Sequence, residues 1–540
     1  MVPAPIRFFS LRWLIPAGLF LATFFVVAAT NNDYGVTWDE PPYFHASDLH
    51  IQWLRDFGKN LLRGDPSRSL QDESIKAAWH WDPYHVPHPP FSRIVSGLTK
   101  VASPPWIDKF SAYRLGPALF FAMLVTVMYL WMAALFDRAT GIFSSLSLVA
   151  IPNLFGFAHI AVTDIPLVSM WFFTAFCFWR GLRSWRWSVA LGAVWGLALA
   201  TKFPALLIPA PLFLWAHIYH RRNYANNVCA MLFLSPIVMI ASQPYLWHEP
   251  GLRILEFLYE GLSRGYRPET NYAIFFFGQV FYSSQLPWYY PFFVIGVTTP
   301  EPILAIGLLG SICIPCFGER KGTATLFLVS AVFILLMGLL PGAVLHDGIR
   351  QLMSVLPFLA ALGGGGFFFL FTWLKEIGAR SQSLQRIEHV PHKIAAVMMV
   401  LILFVPALDT YLSHPFQLSY YNRLVGGIRG AYLRGMEVTY FMEAITPGFL
   451  NSLNKTLPQK TVINASVSNF MLEYYKQEGR LRPDIKITNQ RPFDYYVVFN
   501  RRSVLTPFDR DLLQSKMHPY NWVQVAGVPL VLIYSTHSIP

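Results

Sequence analysis

Long apolar runs alternate with short polar breaks through the first three quarters of the chain. Most are about as long as the roughly 17 residues a helix needs to cross a bilayer. Split at polar and proline breaks, they predict about eleven membrane-spanning helices, near 11–30, 113–135, 142–159, 163–180, 187–201, 203–219, 226–245, 289–316, 323–340, 351–373 and 394–411. The weakest breaks are Thr163/Asp164 and Lys202. With a cytoplasmic N-terminus, the inner connections are 137–141, 180–186, 220–223, 318–322 and 375–393, and all but the first carry an excess of Lys and Arg, as positive-inside topology requires. The same parity sends 31–112, Asp164, Lys202, 246–288, His346–Arg350 and everything after about 412 to the outer face. Two domains are expected: a transmembrane domain over 1–411, with a first extracytoplasmic loop at 31–112, and an extracytoplasmic domain over 412–540.

Within the first outer loop, Tyr43–Leu62 mixes Phe44, Leu49, Ile51, Trp53, Leu54, Phe57 and Leu61 with polar residues, the pattern of a helix lying along the membrane interface. Leu252–Leu262 has the same character. After about 415 the pattern changes. Thr461–Ala465, Tyr495–Phe499 and Trp522–Tyr534 (interrupted at Gly527-Val528-Pro529) read as strands, and Val467–Gln477 reads as a helix between the first two. The expected architecture is a polytopic α-helical membrane protein with interfacial helices and a small C-terminal α/β domain.

Composition agrees: 54% of the 540 residues are hydrophobic and 16% aromatic. The net charge of +12 lies in short clusters between apolar runs, so it orients helices and does not form a nucleic-acid-binding face. Leu11–Thr30, flanked by Arg7 and Arg12, resembles a signal sequence but is long enough to span, and it reads as a signal anchor. All four cysteines fall in or beside apolar segments, which implies no disulfide framework. Sequons at Asn454 and Asn464 matter only in a secretory-pathway host.

The polar exception is Asn31–Pro90, which holds nine of the thirty acidic residues. Asp39 and Glu40 stand there just outside a span, where a carboxylate can meet a hydrophilic acceptor and a lipid-linked donor together; the plainer reading is a solvated loop. Asp164 opens a span and reads either as a site carboxylate or as a helix cap. Lys202 reads as a cation for lipid phosphate or as a snorkelling anchor. His346 and Arg350 have helical spacing that puts both on one face; Arg350 suits phosphate, with an anchor role or a salt bridge to Asp347 as the alternatives. His80, Asp82, His85 and His88 leave a divalent metal open, and no cofactor is certain.

These residues occur in a recognisable order. The Asp39-Glu40 pair follows the first span, and His88-Pro89-Pro90-Phe91 closes the first loop. T-D-x-P-L lies at 163–167, T-K-x-P-A-L-L at 201–207, and H-x-x-x-R at 346–350 before VLPFLAAL. Over the first 410 or so residues the chain resembles the membrane glycosyltransferases of the C superfamily, nearest to family 39: protein O-mannosyltransferases and lipid A aminoarabinose transferases. The resemblance implies inverting transfer from a polyprenyl-phosphate sugar to a lipid, glycan or protein acceptor on the outer side. By motif, Asp39 would activate the acceptor with Glu40 beside it, Asp164 would be a second site carboxylate, and Lys202, His346 and Arg350 would handle the donor phosphate, with Asp33 and His88 in support. Where the family often has tyrosine after the arginine, Gln351 stands here.

The chemistry is consistent with these residue types. A lipid phosphate is already a good leaving group that cations can stabilise, and a carboxylate can serve as general base, so no nucleotide-binding loop is required. The rivals are a transporter or flippase of lipid-linked or anionic solutes, and a lipid-linked oligosaccharide polymerase or ligase. A bacterial inner membrane is the expected location, with an endoplasmic reticulum membrane second.

Overall fold

The computed structural model describes residues 13–80, 88–220, 223–267, 272–340, 342–379 and 390–536. The chain is a polytopic α-helical membrane protein. Among the described residues, Leu14–Asp33, Lys109–Leu135, Ile314–Met337, Val355–Ile377 and Lys393–Leu412 are long and apolar enough to cross a bilayer, and Phe203–Tyr219, Ala225–Ala241 and Glu301–Ile312 are shorter apolar helices. Two expected spans are broken helices. The 142–159 run divides into Arg138–Val149 and Pro152–Phe157, and the 289–316 run contains Tyr290–Thr298 and Glu301–Ile312. Each break falls before a proline, at Ile151-Pro152 and Thr299-Pro300, where the ring disfavours helical backbone in the residue ahead of it.

Glu40–Leu62 and Pro250–Ser263 are helices where interfacial ones are expected. Both begin with proline in the first turn, whose fixed φ suits a helix start and whose missing N–H would have no partner there. Pro250–Ser263 leaves Leu252, Leu255, Tyr259 and Leu262 exposed, an apolar stripe at spacings of three and four residues.

The C-terminal sheet has strands β3 (Val462–Asn464), β4 (Lys486–Ile487), β5 (Tyr495–Phe499), β6 (Asn521–Val525) and β7 (Val528–Ser535); β1 (Ala273–Phe276) and β2 (Gln279–Tyr282) form a separate hairpin. The sheet order is β4-β3-β5-β7-β6, with β3 parallel to β4 and β5, and β7 antiparallel to β5 and β6. Every residue of the central β5 is buried. The interruption expected near Gly527 is a two-residue hairpin turn, Ala526-Gly527, with positive φ at both positions, as the twist of paired strands favours.

One apolar core joins this sheet to the first loop: Val36, Phe44, Phe110 and Tyr113 pack with Ile428, Ile463, Val497 and Ile533. Polar contacts pin the same junction. The Val36 N–H donates to the Tyr475 hydroxyl at 2.6 Å, and the Trp38 N–H to the Phe441 carbonyl at 3.1 Å. Gly35 lies so close that a Cβ there would stand 2.4 Å from the Glu443 carbonyl oxygen and 2.5 Å from that of Ile445.

Candidate active site

The transmembrane helices and the C-terminal domain enclose a cavity of about 910 Å³. Leu167, Val168, Trp171, Phe257, Ile334 and Leu340 give it apolar walls; charged groups from separate stretches of the chain collect within it, Asp39, Asp164, Lys202, Arg350 and Arg501 among them. Asp39 precedes the Glu40–Leu62 helix, Asp164 sits in the first turn of Asp164–Gly181, Lys202 precedes the short turn Phe203–Leu207, and Arg350 begins the turn leading into Val355–Ala379.

Arg350 organises them. Its Nη2 lies 2.6 Å from Asp39 Oδ2, its Nε 3.0 Å from Asp164 Oδ2, and its Nη1 3.2 Å from Asp347 Oδ2. The planar fork of five N–H donors is what allows one side chain to hold three carboxylates. Lys202 Nζ donates to Asp164 Oδ1 at 2.8 Å and Arg501 Nη2 to Asp347 Oδ1 at 3.1 Å, so in this network three cations face three carboxylates; Glu260, Arg264 and Arg267 line the cavity as well. The Asp39 side chain keeps 30% of its surface accessible, against 1% each for Asp164 and Asp347. Asp39 is therefore the carboxylate of the three that an incoming molecule can reach.

His346 and Arg350 both line the cavity, but not from one helix face as their spacing suggests. Asp347 and Gly348 take φ of 61° and 63°, a left-handed turn that asparagine, aspartate and glycine tolerate best. Burial, and then the Arg350 charge, push His346 well below the usual imidazole range, so the ring is neutral at neutral pH. It is an adjustable hydrogen-bonding group, not a fixed cation. Gln351 uses both ends of its amide: Oε1 accepts from Lys202 Nζ at 3.3 Å, and Nε2 lies 3.3 Å from His346 Nε2.

Glu40, expected beside Asp39 as a catalytic partner, is fully buried away from the cavity. Its Oε1 accepts from Arg114 Nε at 2.7 Å and the Ala161 N–H at 3.0 Å; its Oε2 accepts from Arg114 Nη2 at 2.7 Å and the Thr37 N–H at 2.9 Å. The pair is a bidentate clamp between the first loop and the Lys109–Leu135 helix. Asp33 likewise stands outside the cavity lining and pairs with His414 Nε2 at 2.9 Å. His88 does line the cavity, and burial depresses its basicity too. Among the described residues no three His, Cys, Asp or Glu side chains gather as a metal site. Asp82 and His85 lie outside the described residues.

Arg501 and Arg114 were not among the expected groups. Arg114 carries a signal, since an arginine in the apolar run AYRLGPALF is costly at membrane depth unless paired. Arg501, in the polar sequence FNRRSV just after β5, carries none.

Residues 88–248 match the family described as dolichyl-phosphate-mannose-protein mannosyltransferase. No curated protein matches by sequence. Among solved structures, ArnT from Cupriavidus metallidurans in the apo state is similar at 14% identity and a TM-score of 0.50, covering 96% of this chain and 97% of that one. The same protein bound to undecaprenyl phosphate gives 14% and 0.47, covering 97% and 98%. The oligosaccharyltransferase of Archaeoglobus fulgidus, in complex with zinc and sulfate, gives 10% and 0.48, covering 89% and 68%. The fold is similar to that of ArnT from Cupriavidus metallidurans over nearly the whole of both chains.

Proposed function

We propose that this chain is a membrane glycosyltransferase of the C superfamily that moves a sugar from a polyprenyl-phosphate donor to an acceptor, with inversion. The observation that carries the reading is the meeting of Asp39, Lys202 and Arg350 in one cavity with apolar walls. A lipid-linked sugar phosphate has these same two parts: an apolar chain and an anion beside the bond to be broken. The matched family, whose description names a dolichyl-phosphate sugar, supports that donor class.

In this reading the acceptor heteroatom attacks the anomeric carbon as the bond to the phosphate oxygen breaks. The electron pair leaves with the polyprenyl phosphate, and the acceptor proton passes to Asp39. Arg350 occupies Oδ2 of Asp39 and orients the carboxylate for that task. Lys202 and Arg350 neutralise charge developing on the departing phosphate, in a buried setting where each ionic contact is worth more than in water. Asp164 holds both cations in place, and Gln351 and the neutral His346 offer hydrogen bonds beside them. Glu40 positions the first loop through Arg114.

The cavity belongs on the extracytoplasmic face of a bacterial inner membrane, with the N-terminus cytoplasmic; the alternation of basic connections supports this orientation. Residues 1–411 form the transmembrane transferase domain and 412–540 the outer domain. The test is incubation of the purified protein with polyprenyl-phosphate sugars and lipid, glycan or peptide acceptors, scoring free lipid phosphate. Acceptor-dependent release supports the reading; a panel of donors and acceptors left intact by folded protein overturns it.

A further inference from the structure

We propose that Arg501 is a positioning residue through which the C-terminal domain completes the charge balance of the ionic network around Arg350, neutralising Asp347 so that Arg350 remains on Asp39 and Asp164. The inference rests on the cavity being the glycosyl-transfer site.

Arg501 is 4% exposed and is held from several sides. Its backbone follows the end of β5, where Asn500 is tied to the next strand: its N–H donates to the Leu530 carbonyl at 2.9 Å and its Nδ2 to the Pro529 carbonyl at 2.7 Å. On the other side, Glu437 accepts from the N–H groups of Arg502 at 2.7 Å and Ser503 at 2.9 Å. The guanidinium donates to the Tyr440 carbonyl at 2.5 Å and to Asp347 Oδ1 at 3.1 Å.

From there two paths reach Asp39. The ionic one runs from Arg501 through Asp347 to Arg350, which contacts Asp39 Oδ2. The other runs through Trp38, whose ring lies 4.3 Å below the Arg501 guanidinium and which precedes Asp39 in the chain. Asp347 is almost wholly buried, and its two arginine partners are Arg350 and Arg501, beside a His346 that is neutral at ordinary pH. A buried carboxylate deprived of one cation draws harder on the other. Without Arg501, the Arg350 fork is pulled toward Asp347, and Asp39 loses both its partner and its orientation.

The test compares full-length R501Q, R501K and R501Q/D347N with wild type. It reads thermal unfolding, and kcat and KM for the polyprenyl-phosphate sugar that wild type turns over. Displacement of a catalytic group by about 1 Å costs on the order of 100-fold in rate. R501Q is accordingly expected to lose about 10- to 100-fold in kcat, with donor KM within roughly threefold of wild type. R501K should fall between the two, and D347N in the R501Q background should recover most of the loss in both kcat and unfolding temperature, because it removes the charge Arg501 offsets. A double variant no more active and no more stable than R501Q overturns the proposal, as does an R501Q whose defect lies only in KM. Should R501Q fail to fold, the double variant must fold and turn over, and one that does neither rejects the idea. Wild type without any turnover would count against the transferase reading itself, whereas recovery of unfolding temperature would still report on the Arg501–Asp347 charge balance.

Discussion

Arg350 Nη2 stands 2.6 Å from Asp39 Oδ2, joining the turn before one transmembrane helix to the first loop, far earlier in the sequence. The contact orients Asp39, the accessible one of the three carboxylates that Arg350 holds. Asp39→Asn is nearly isosteric, and asparagine serves equally well before a helix. Transfer should fall by about 10²- to 10⁴-fold, the usual value of a general base. Measured as lipid-phosphate release at matched protein concentration, near-normal turnover would remove Asp39 from the mechanism.

Glu40 should behave in the opposite way to its neighbour. Glu40→Gln leaves the buried Arg114 guanidinium without its counter-charge and replaces one accepting oxygen by an amide donor, which costs on the order of 3–5 kcal/mol. The expected result is a lower yield and unfolding temperature, with turnover per folded molecule within about tenfold of wild type. A Glu40→Gln protein as stable as wild type but inactive would return Glu40 to the chemistry.

Arg350→Lys keeps the charge but not the fork. An ammonium cannot reproduce three guanidinium contacts in one plane, so kcat/KM should drop by roughly 100-fold even though the charge of the site is unchanged. Steady-state kinetics of the purified variant decide this; a loss under about threefold would mean that charge alone suffices.

Stability should decline on mild acidification. Burial is the leading cause that lowers the basicity of His50, His88 and His346, and nearby arginines add to it. The unfolded chain then takes up protons near the ordinary pKa of 6.5 while the folded one does not. The stabilisation from keeping these rings neutral is complete above that value, and it is lost as pH falls below it toward the depressed folded values. Unfolding temperatures in detergent should decrease from pH 7 to pH 5, and the decrease should shrink when His50 is replaced by Gln. A flat profile over that window would mean that the three rings are solvated.

The membrane-embedded part is legible from sequence because lipid imposes one rule, that apolar runs of sufficient length be helical, and proline marks where those helices break. Asp39, Lys202, His346 and Arg350 are legible as a group because their motifs follow a known order and all fall on one predicted face. Individual roles are harder to read. Adjacent helical residues point about 100° apart, so Asp39 and Glu40 can lie side by side in sequence and serve a cavity and a buried clamp respectively. The turn at Asp347-Gly348 hides behind spacing that fits a helix equally well. Arg501 follows a strand in a domain with no membrane constraint, so only the three-dimensional packing of β5 against the first loop brings it to Asp347.

The shared core beneath Gly35–Trp38 also bears on engineering. Because the first loop and the sheet domain cover each other's apolar undersides, and Gly35 admits no side chain between them, neither can be exchanged alone. A chimera that replaces either must import both partners from the same source protein. Truncation after the last transmembrane helix would leave a bare greasy face in water, a precipitate instead of a minimal catalyst.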